Sequence, residues 1–547
     1  MAGIALRAPV KDIKIVSKSI DFIELMELGM IKGIGLQNFR SFVNKTFIDL
    51  KPITVFVGKN SSGKSSLLRT FPLLRQSVEE NTTGPILWYG RYVDFGDFTD
   101  VLSRNSEKKE ITFSFSLSIP PEVSQRYTYY RFTDLAKQPT DVEAELTVYS
   151  KDKKTKTKTI KLILADLTIF ISMDENSNVK LLIESDDKTI ERDGIIAKNL
   201  GQFIPNLILK GKEDSPPPST SFYLRHSRHD RALELSFIDS AAKYIKKYFH
   251  TKSDINQVTE AFKRIGFIPK AYASKLVAFL FKEQKVFSRN FELQHDEIMN
   301  ELYPFIIGWN INNLIDIINT SLSDSFRNVK YIAPLRATSE RFYRFQDLQV
   351  NEIDHTGSNL AMLLNSLRPA DKSKFEDWTK LNFDFIIKVE QSGSHFAILI
   401  NTGENSENYN VSDMGFGYSQ VLPIVTAIWL ETERRATTVR KPITFIIEQP
   451  ELHLHPSYQH NLASIFAKVV TKAKENNVDL KIIFETHSQT MIEALGEYIE
   501  ENENLSQDDI SILVFEKDEK QQTIVKKSYF DENGFLQNWP VGFFSGK

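Results

Sequence analysis

The stretch ITVFVGKNSSGKSSLLR, Ile53 to Arg69, decides the fold. Its first five residues are mostly β-branched and apolar, which reads as a short strand buried on both faces. Gly58 to Ser65 then follow the order G-x-x-x-x-G-K-S, and SLLRTFPLLRQ beyond them has helical spacing. A strand before and a helix after is the context that marks a phosphate-binding loop. Its glycines let the backbone wrap so that successive N–H groups face phosphate. Lys64 is expected to reach the β- and γ-phosphates and the Ser65 hydroxyl to ligate Mg²⁺, with Asn60, Ser61, Gly63 and Ser66 completing the contact.

Three later segments supply what such a loop needs. ITFIIE, Ile443 to Glu448, reads as a second buried strand whose terminal acid, Glu448, holds Mg²⁺ through water. LKIIFET, Leu480 to Thr486, reads as a third, followed by His487 and Ser488. A polar residue at the carboxyl end of a parallel strand lies where nucleotides bind, so His487 is the candidate γ-phosphate sensor. Between the first and second strands, VSDMGFGYSQVLPIVTAIW (Val411 to Trp429) places two glycines ahead of a helix, with Pro423 tolerated in its first turn. One P-loop leaves no second phosphate in the same chain for that helix start, so it would serve a neighbouring copy.

Composition sets the outer bounds. A chain of 547 residues exceeds one compact core, which points to two or three structural units. Apolar residues at 41% and charged residues at 25% describe an ordinary globular protein. No apolar run is long enough to cross a bilayer and no signal-peptide core opens the chain, so a cytoplasmic location is expected. The sequence has no cysteine, which excludes disulfides, thiol catalysis and cysteine zinc sites. A net charge of −3 leaves any nucleic-acid binding to a local patch.

Taken together, these motifs resemble the ATP-binding-cassette (ABC) ATPases related to chromosome-maintenance (SMC) and recombination-repair proteins. LQNFRSF (Leu36–Phe42), the GxGxSQxLP signature, IEQPELHLHP and ETHS carry the likeness, with YIAPLRATSERFY (Tyr331–Tyr343) and NWPVGFF (Asn538–Phe544) fitting it. More narrowly the chain looks like the overcoming-lysogenization-defect (OLD) branch and its anti-phage relatives, and among these the PtuA family of ATPase subunits of Septu-type systems, which also occurs attached to retrons. The resemblance covers residues 30–100 and 330–547. It implies ATP and Mg²⁺ as cofactors and a homodimer, or higher homo-oligomer, of ATP-bound heads, with each P-loop facing the partner copy's signature. Carried over by motif, Gly415, Gly417 and Gln420 would contact γ-phosphate across that dimer, and Arg40 would stand near the nucleotide, although a plain surface arginine is the competing reading. Two departures stand out: Gly415 occupies the usual signature serine position, which leaves Ser412 or Ser419 as substitutes, and Arg91–Leu102 offers no Q-loop glutamine. The resemblance further implies a separate HNH nuclease partner of the PtuB kind and, for the retron-attached form, a reverse transcriptase and its nucleic acid. No membrane partner is expected.

Gln449 then acquires a meaning. If Glu448 is the Walker B acid, Gln449 occupies the slot of the cassette's catalytic glutamate. An amide orients water but does not accept its proton near neutral pH, and general-base assistance is typically worth about 10²–10⁴-fold. Slow hydrolysis is the preferred reading, with ATP holding two heads closed. The alternative is that Glu451, three residues on, supplies the base. His453 and His455 read as a structural loop, since an i, i+2 pair without a third ligand does not share a helix face.

The expected architecture is α/β: an ABC-type P-loop ATPase head with an antiparallel β lobe and a helical insertion. Its parts are an extension (1–29), an N-terminal ATPase lobe with Walker A and antiparallel strands (30–214), a helical insert (215–330) and a C-terminal lobe with signature, Walker B and switch histidine (331–547). Alternation over 111–119, 143–149 and 158–186 predicts the strands; Lys154, Lys156 and Lys158 on one face read as a solvated edge or a phosphate contact. SPPPST (Ser215–Thr220) marks a linker, and RHSRHDR (Arg225–Arg231) is the main basic cluster, a partner contact or solvated surface. Beyond ETHS there is neither an acidic Toprim cluster nor an HNH constellation, so any nucleic-acid cleavage is expected to need another polypeptide. A DNA-repair clamp of the recombination type is the rival reading from another class.

Overall fold

The computed structural model describes residues 29–104, 106–121, 123, 139–165, 167–210, 231–344, 350–403, 407–434, 442–502 and 504–539. The extension up to residue 28, the SPPPST linker, Arg225–Asp230 of the basic cluster and the tail beyond Trp539 lie outside the described residues. The chain forms two compact units.

One unit gathers residues 36–79, 88–106 and 325–547. Its seven-stranded sheet runs in the order Val329–Ile332, Ile443–Glu448, Leu480–Glu485, Ile53–Gly58, Ile510–Lys517, Thr523–Phe530 and Leu536–Gln537. The first five strands are parallel and the last two antiparallel. The P-loop strand Ile53–Gly58 and the sensor strand Leu480–Glu485 are buried at every position, as central strands of a parallel sheet must be. Alternate residues take opposite faces. Ile53, Val55 and Val57 join a core with Leu422, Val425, Leu462 and Phe466, while Phe56 packs its ring 4.9 Å from that of Phe515.

The order of the strands positions the site. The sensor strand lies between the P-loop strand and the Walker B strand Ile443–Glu448, so three carboxyl ends meet at one edge. Glu448 and Glu485 are register partners there, and Glu485 is opposite Phe56, two residues before Gly58. A smaller antiparallel sheet of Tyr343–Arg344, His395–Asn401, Ile386–Ser392 and Tyr409–Asn410 precedes the signature helix Phe416–Trp429.

The other unit gathers residues up to 35, 80–87 and 107–324. Strands Ile111–Ile119, Thr140–Lys151, Lys154–Leu164, Leu167–Met173, Asn178–Ser185, Thr189–Lys198 and Asn206–Leu209 form an antiparallel meander in which each strand pairs with the next in sequence. Six helices from Ala232 to Arg327 follow. Helix Ile311–Arg327 closes the edge of this sheet with side chains. Asn312 exchanges two 2.9 Å bonds with the N–H and C=O of Leu207, and one twist further Asn319 does the same with Ile204 at 3.1 and 2.7 Å. Both amides are buried: Asn312 stands in for a neighbouring strand, and Asn319 satisfies the turn that leads into Asn206–Leu209. Strands and helices belong to this one unit. The lysine face on Lys154–Leu164 is partly spent, since Lys158 bonds Glu110 at 2.5 Å and Lys156 the Glu175 carbonyl at 3.1 Å.

Candidate nucleotide site

The loop leaving Ile53–Gly58 turns through two unusual conformations before the helix at Lys64. Ser61 has φ 62° and Gly63 φ 107°. At Gly63 the constraint is also steric: a Cβ there would come within 2.6 Å of Thr523 Oγ1. The Thr523 hydroxyl donates to the Ser62 carbonyl at 2.7 Å and shares a second 2.7 Å bond with the Ser41 hydroxyl. The loop is thus braced from behind, while Asn60 and Ser61 are exposed and Ser66 is half-buried.

Lys64 is almost wholly buried. Its ammonium donates to the carbonyls of Gly58 and Lys59, both at 2.9 Å, and lies 3.6 Å from Glu485 Oε1. Burial lowers its pKa, with Glu485 opposing. The Ser65 hydroxyl donates to Glu485 Oε2 at 2.7 Å, and burial raises the pKa of that carboxyl against the pull of Ser65 and Lys64. Glu485 was passed over in the sequence, where ETHS was read for its histidine. The signal was there: an acid closes a buried apolar strand, the same argument that selected Glu448.

Glu448 has different partners. Arg69 grips it with Nε and Nη2 at 2.7 and 2.9 Å, and the Tyr331 hydroxyl donates to Oε1 at 2.6 Å. This bidentate bond raises the guanidinium further, and burial followed by the Glu448 charge raises the Tyr331 phenol. Of the two residues expected to hold the metal, Ser65 therefore bonds Glu485, and Glu448 bonds Arg69. Among the described residues no group of three or more His, Asp or Glu side chains is preassembled for a metal ion.

The turn after the Walker B strand carries the remaining candidates. Gln449 has φ 43°, and its N–H donates to the Glu485 carbonyl at 2.9 Å. Glu451 accepts the His487 backbone N–H on Oε1 at 2.7 Å, while its Oε2 is buried without a partner. Burial raises its pKa against the pull of the His487 N–H, its own backbone, the Thr486 hydroxyl and the Arg336 charge. His487 itself is exposed on the site's rim, and partial burial followed by the Lys64 charge lowers its imidazole. Arg336, from the YIAPLRATSERFY segment, is 5% exposed and donates from Nη2 to the Glu448 carbonyl at 2.8 Å and to that of Gln449 at 3.3 Å. Burial pushes its guanidinium down to about 10, the charges of Glu451 and Glu448 opposing.

In the signature segment, Gly415 begins the helix with φ 83° and open space around it, so its demand is conformational. Gly417 packs against the His453 carbonyl. Gln420 is turned inward, its amide donating to the Arg336 carbonyl at 3.4 Å. Of the two candidate signature serines, Ser412 is exposed and Ser419 buried. Arg40 is exposed, with its guanidinium 4.5 Å over the Phe95 ring; burial and then the nearby Arg69 lower its pKa. His455 caps helix Pro456–Glu475 through Ser457, a structural use.

A phosphate loop, an acid-terminated strand and an intervening sensor strand in this order make an ABC-type P-loop ATPase fold of the α/β class. The sequence pattern of the AAA ATPase domain matches residues 30–492. The chain belongs to that family. A second pattern, that of a protein of unknown function (DUF3696), matches residues 505–545. No curated protein matches. Among solved structures, the SMC head domain from Thermotoga maritima is similar at 10% identity over 91% of this chain and 98% of its own, with a TM-score of 0.34. The recombination mediator protein RecF of the RecFOR pathway is similar at 10% identity over 92% and 99%, with a TM-score of 0.31. ATPases of this family use ATP with Mg²⁺, and the residues here fit that pair: a wrapped loop, a buried ammonium, a hydroxyl and two carboxylates at one sheet edge. No helix among the described residues is long and apolar enough to cross a membrane.

Proposed function

We propose that this chain binds ATP with Mg²⁺, pairs with a second copy through two bound nucleotides, and hydrolyses ATP with Glu451 as general base. The observation that carries the reading is the convergence of Lys64 and Ser65 on Glu485, beside a Glu451 Oε2 that is buried and unspent. ATP supplies the γ-phosphoryl group, and Mg²⁺ neutralises its oxygens. Lys64 turns from the Gly58 and Lys59 carbonyls toward phosphate. Ser65 and Glu485 would together hold the metal, with Glu448, anchored by Arg69 and Tyr331, supplying a second carboxylate from the neighbouring strand. Glu451 Oε2 accepts a proton from water, which the Gln449 amide does not do. Gly415, Gly417 and Gln420 serve the partner copy's nucleotide, Gln420 after leaving its inward bond, with His487 and Arg40 at the rim.

The role we assign to this ATPase is control of a separate HNH nuclease in anti-phage defence, of the Septu or retron-attached kind, on the strength of the motif set from LQNFRSF to ETHS. Mass measurement of the purified chain with and without ATP and Mg²⁺ tests the pairing. Co-purification from the native operon tests the partner: a nuclease or reverse transcriptase is expected. A chain that stays solitary with saturating nucleotide removes the first reading. Tight ATP-dependent DNA binding by the chain alone selects the repair-clamp reading instead.

A further inference from the structure

A buried arginine and a half-buried glutamate near the Gln449 turn have hydrogen-bonding capacity to spare. Arg336 uses only Nη2, and its Nε–H and Nη1–H groups are buried without partners. Glu451 accepts the His487 N–H on Oε1, and its Oε2 is buried without a hydrogen-bond partner, with the Thr486 hydroxyl near enough to oppose the rise of its pKa. A polar group left orphaned would cost about 1–3 kcal/mol, and more when charged, so three around one turn call for a shared partner. Arg336 and Glu451 each act on the other's charge without a direct hydrogen bond between them. Two donors and one acceptor are the partners that a bridging water requires.

The same arginine also holds the backbone that carries the carboxylate. Its Nη2 bonds the carbonyls of Glu448 and Gln449, and the Gln449 carbonyl accepts in addition from the Leu452 N–H at 3.2 Å. Gln449 adopts φ 43°, a conformation that a non-glycine residue keeps only when its surroundings enforce it. On the other side, the Arg336 carbonyl accepts from Gln420 of the signature helix. One residue therefore touches the Walker B turn, the signature helix and the field around Glu451.

We infer that Arg336 is the positioning residue for Glu451, its Nη2 fixing the turn and its Nε and Nη1 holding Oε2 through one water molecule. The inference rests on the reading of Glu451 as the base. It gives Arg336 no contact with the nucleotide, so its effect falls on turnover and not on binding.

The test is a double-mutant cycle in the full chain, following ATP hydrolysis and ATP affinity. Glu451→Gln alone is expected to lower kcat by about 10²–10⁴-fold with ATP still bound. Arg336→Lys keeps the charge but not the fork, and is expected to lower kcat by roughly 10–100-fold, the scale of losing an outer-shell partner, with KM unchanged. Added to Glu451→Gln, it should cost nothing more. An additive loss in the double variant, or a weakened ATP affinity in Arg336→Lys, overturns the inference and leaves the base in place. An unchanged kcat in Glu451→Gln removes the base and the inference with it. Arg336→Gln, which retains a donor for the Glu448 carbonyl, is the second variant; if neither arginine variant folds, the residue is purely structural and the proposal falls.

Discussion

The Ser65 hydroxyl and the Glu485 carboxylate meet at 2.7 Å although 420 positions separate them in the chain. That bond joins the P-loop to the sensor strand and gives Glu485 a claim on the metal that Glu448, held by Arg69, makes less directly. Replacing Glu485 with Gln keeps a bond to Ser65 but removes the charge. The expected result is an increase of roughly 10-fold or more in the Mg²⁺ concentration needed for half-maximal ATP binding, read with a fluorescent ATP analogue. An unchanged magnesium requirement takes Glu485 out of the metal site.

Gly63→Ala meets two obstacles at once, a φ of 107° and a Cβ 2.6 Å from Thr523 Oγ1. The backbone strain alone is worth about 1–3 kcal/mol. Loss of ATP binding is expected, with a lowered thermal midpoint. Adding Thr523→Ser removes a methyl but not the clashing oxygen, so it should not restore binding.

Asn312→Ala tests the side-chain closure of the antiparallel sheet. It strips both partners from the Leu207 backbone in a buried setting, a loss of about 2–6 kcal/mol from two orphaned groups. Denaturant unfolding should show it as a lower midpoint. A change under about 0.5 kcal/mol, the size of an ordinary surface substitution, would mean that water replaces the amide there.

The Arg75–Glu352 pair gives a pH-dependent signal. Burial raises Glu352, but the Arg75 and Lys330 bonds outweigh it and the net pKa is lowered. A depressed folded pKa means that the stability from this group is present above the unfolded carboxylate value and is lost as pH falls through the folded one. Arg75→Met, which leaves Glu352 without its bidentate partner, should therefore be most destabilising near pH 7. The gap to the wild-type chain should narrow below about pH 4, as the carboxyl protonates. Urea titrations of both proteins at the two pH values would measure it.

What was legible in the sequence follows from how far each interaction reaches along the chain. The P-loop, the Walker B strand and the sensor strand are contiguous patterns, so their residues announce themselves. Gln449 and Glu451 were visible as alternatives because both follow the same strand end. Glu485 is legible in the same way as Glu448, as the acid that closes a buried strand, whereas Arg69, Tyr331 and Arg336 are not, because their partners come from segments that the chain supplies far apart. The meander was visible as alternation. Its union with the helices was not, since Asn312 and Asn319 sit at ordinary polar positions and only the fold reveals that their amides bond backbone.

Thr523 carries none of the nucleotide motifs, yet its hydroxyl backs the Ser62 carbonyl and its neighbourhood fixes the room beside Gly63. A fragment cut just after ETHS would retain Walker A, signature, Walker B and switch histidine, and would still lack the rear wall of its own phosphate cradle. Nucleotide competence in this protein therefore waits on a segment that a ribosome delivers only after Walker A, signature, Walker B and switch histidine have all emerged.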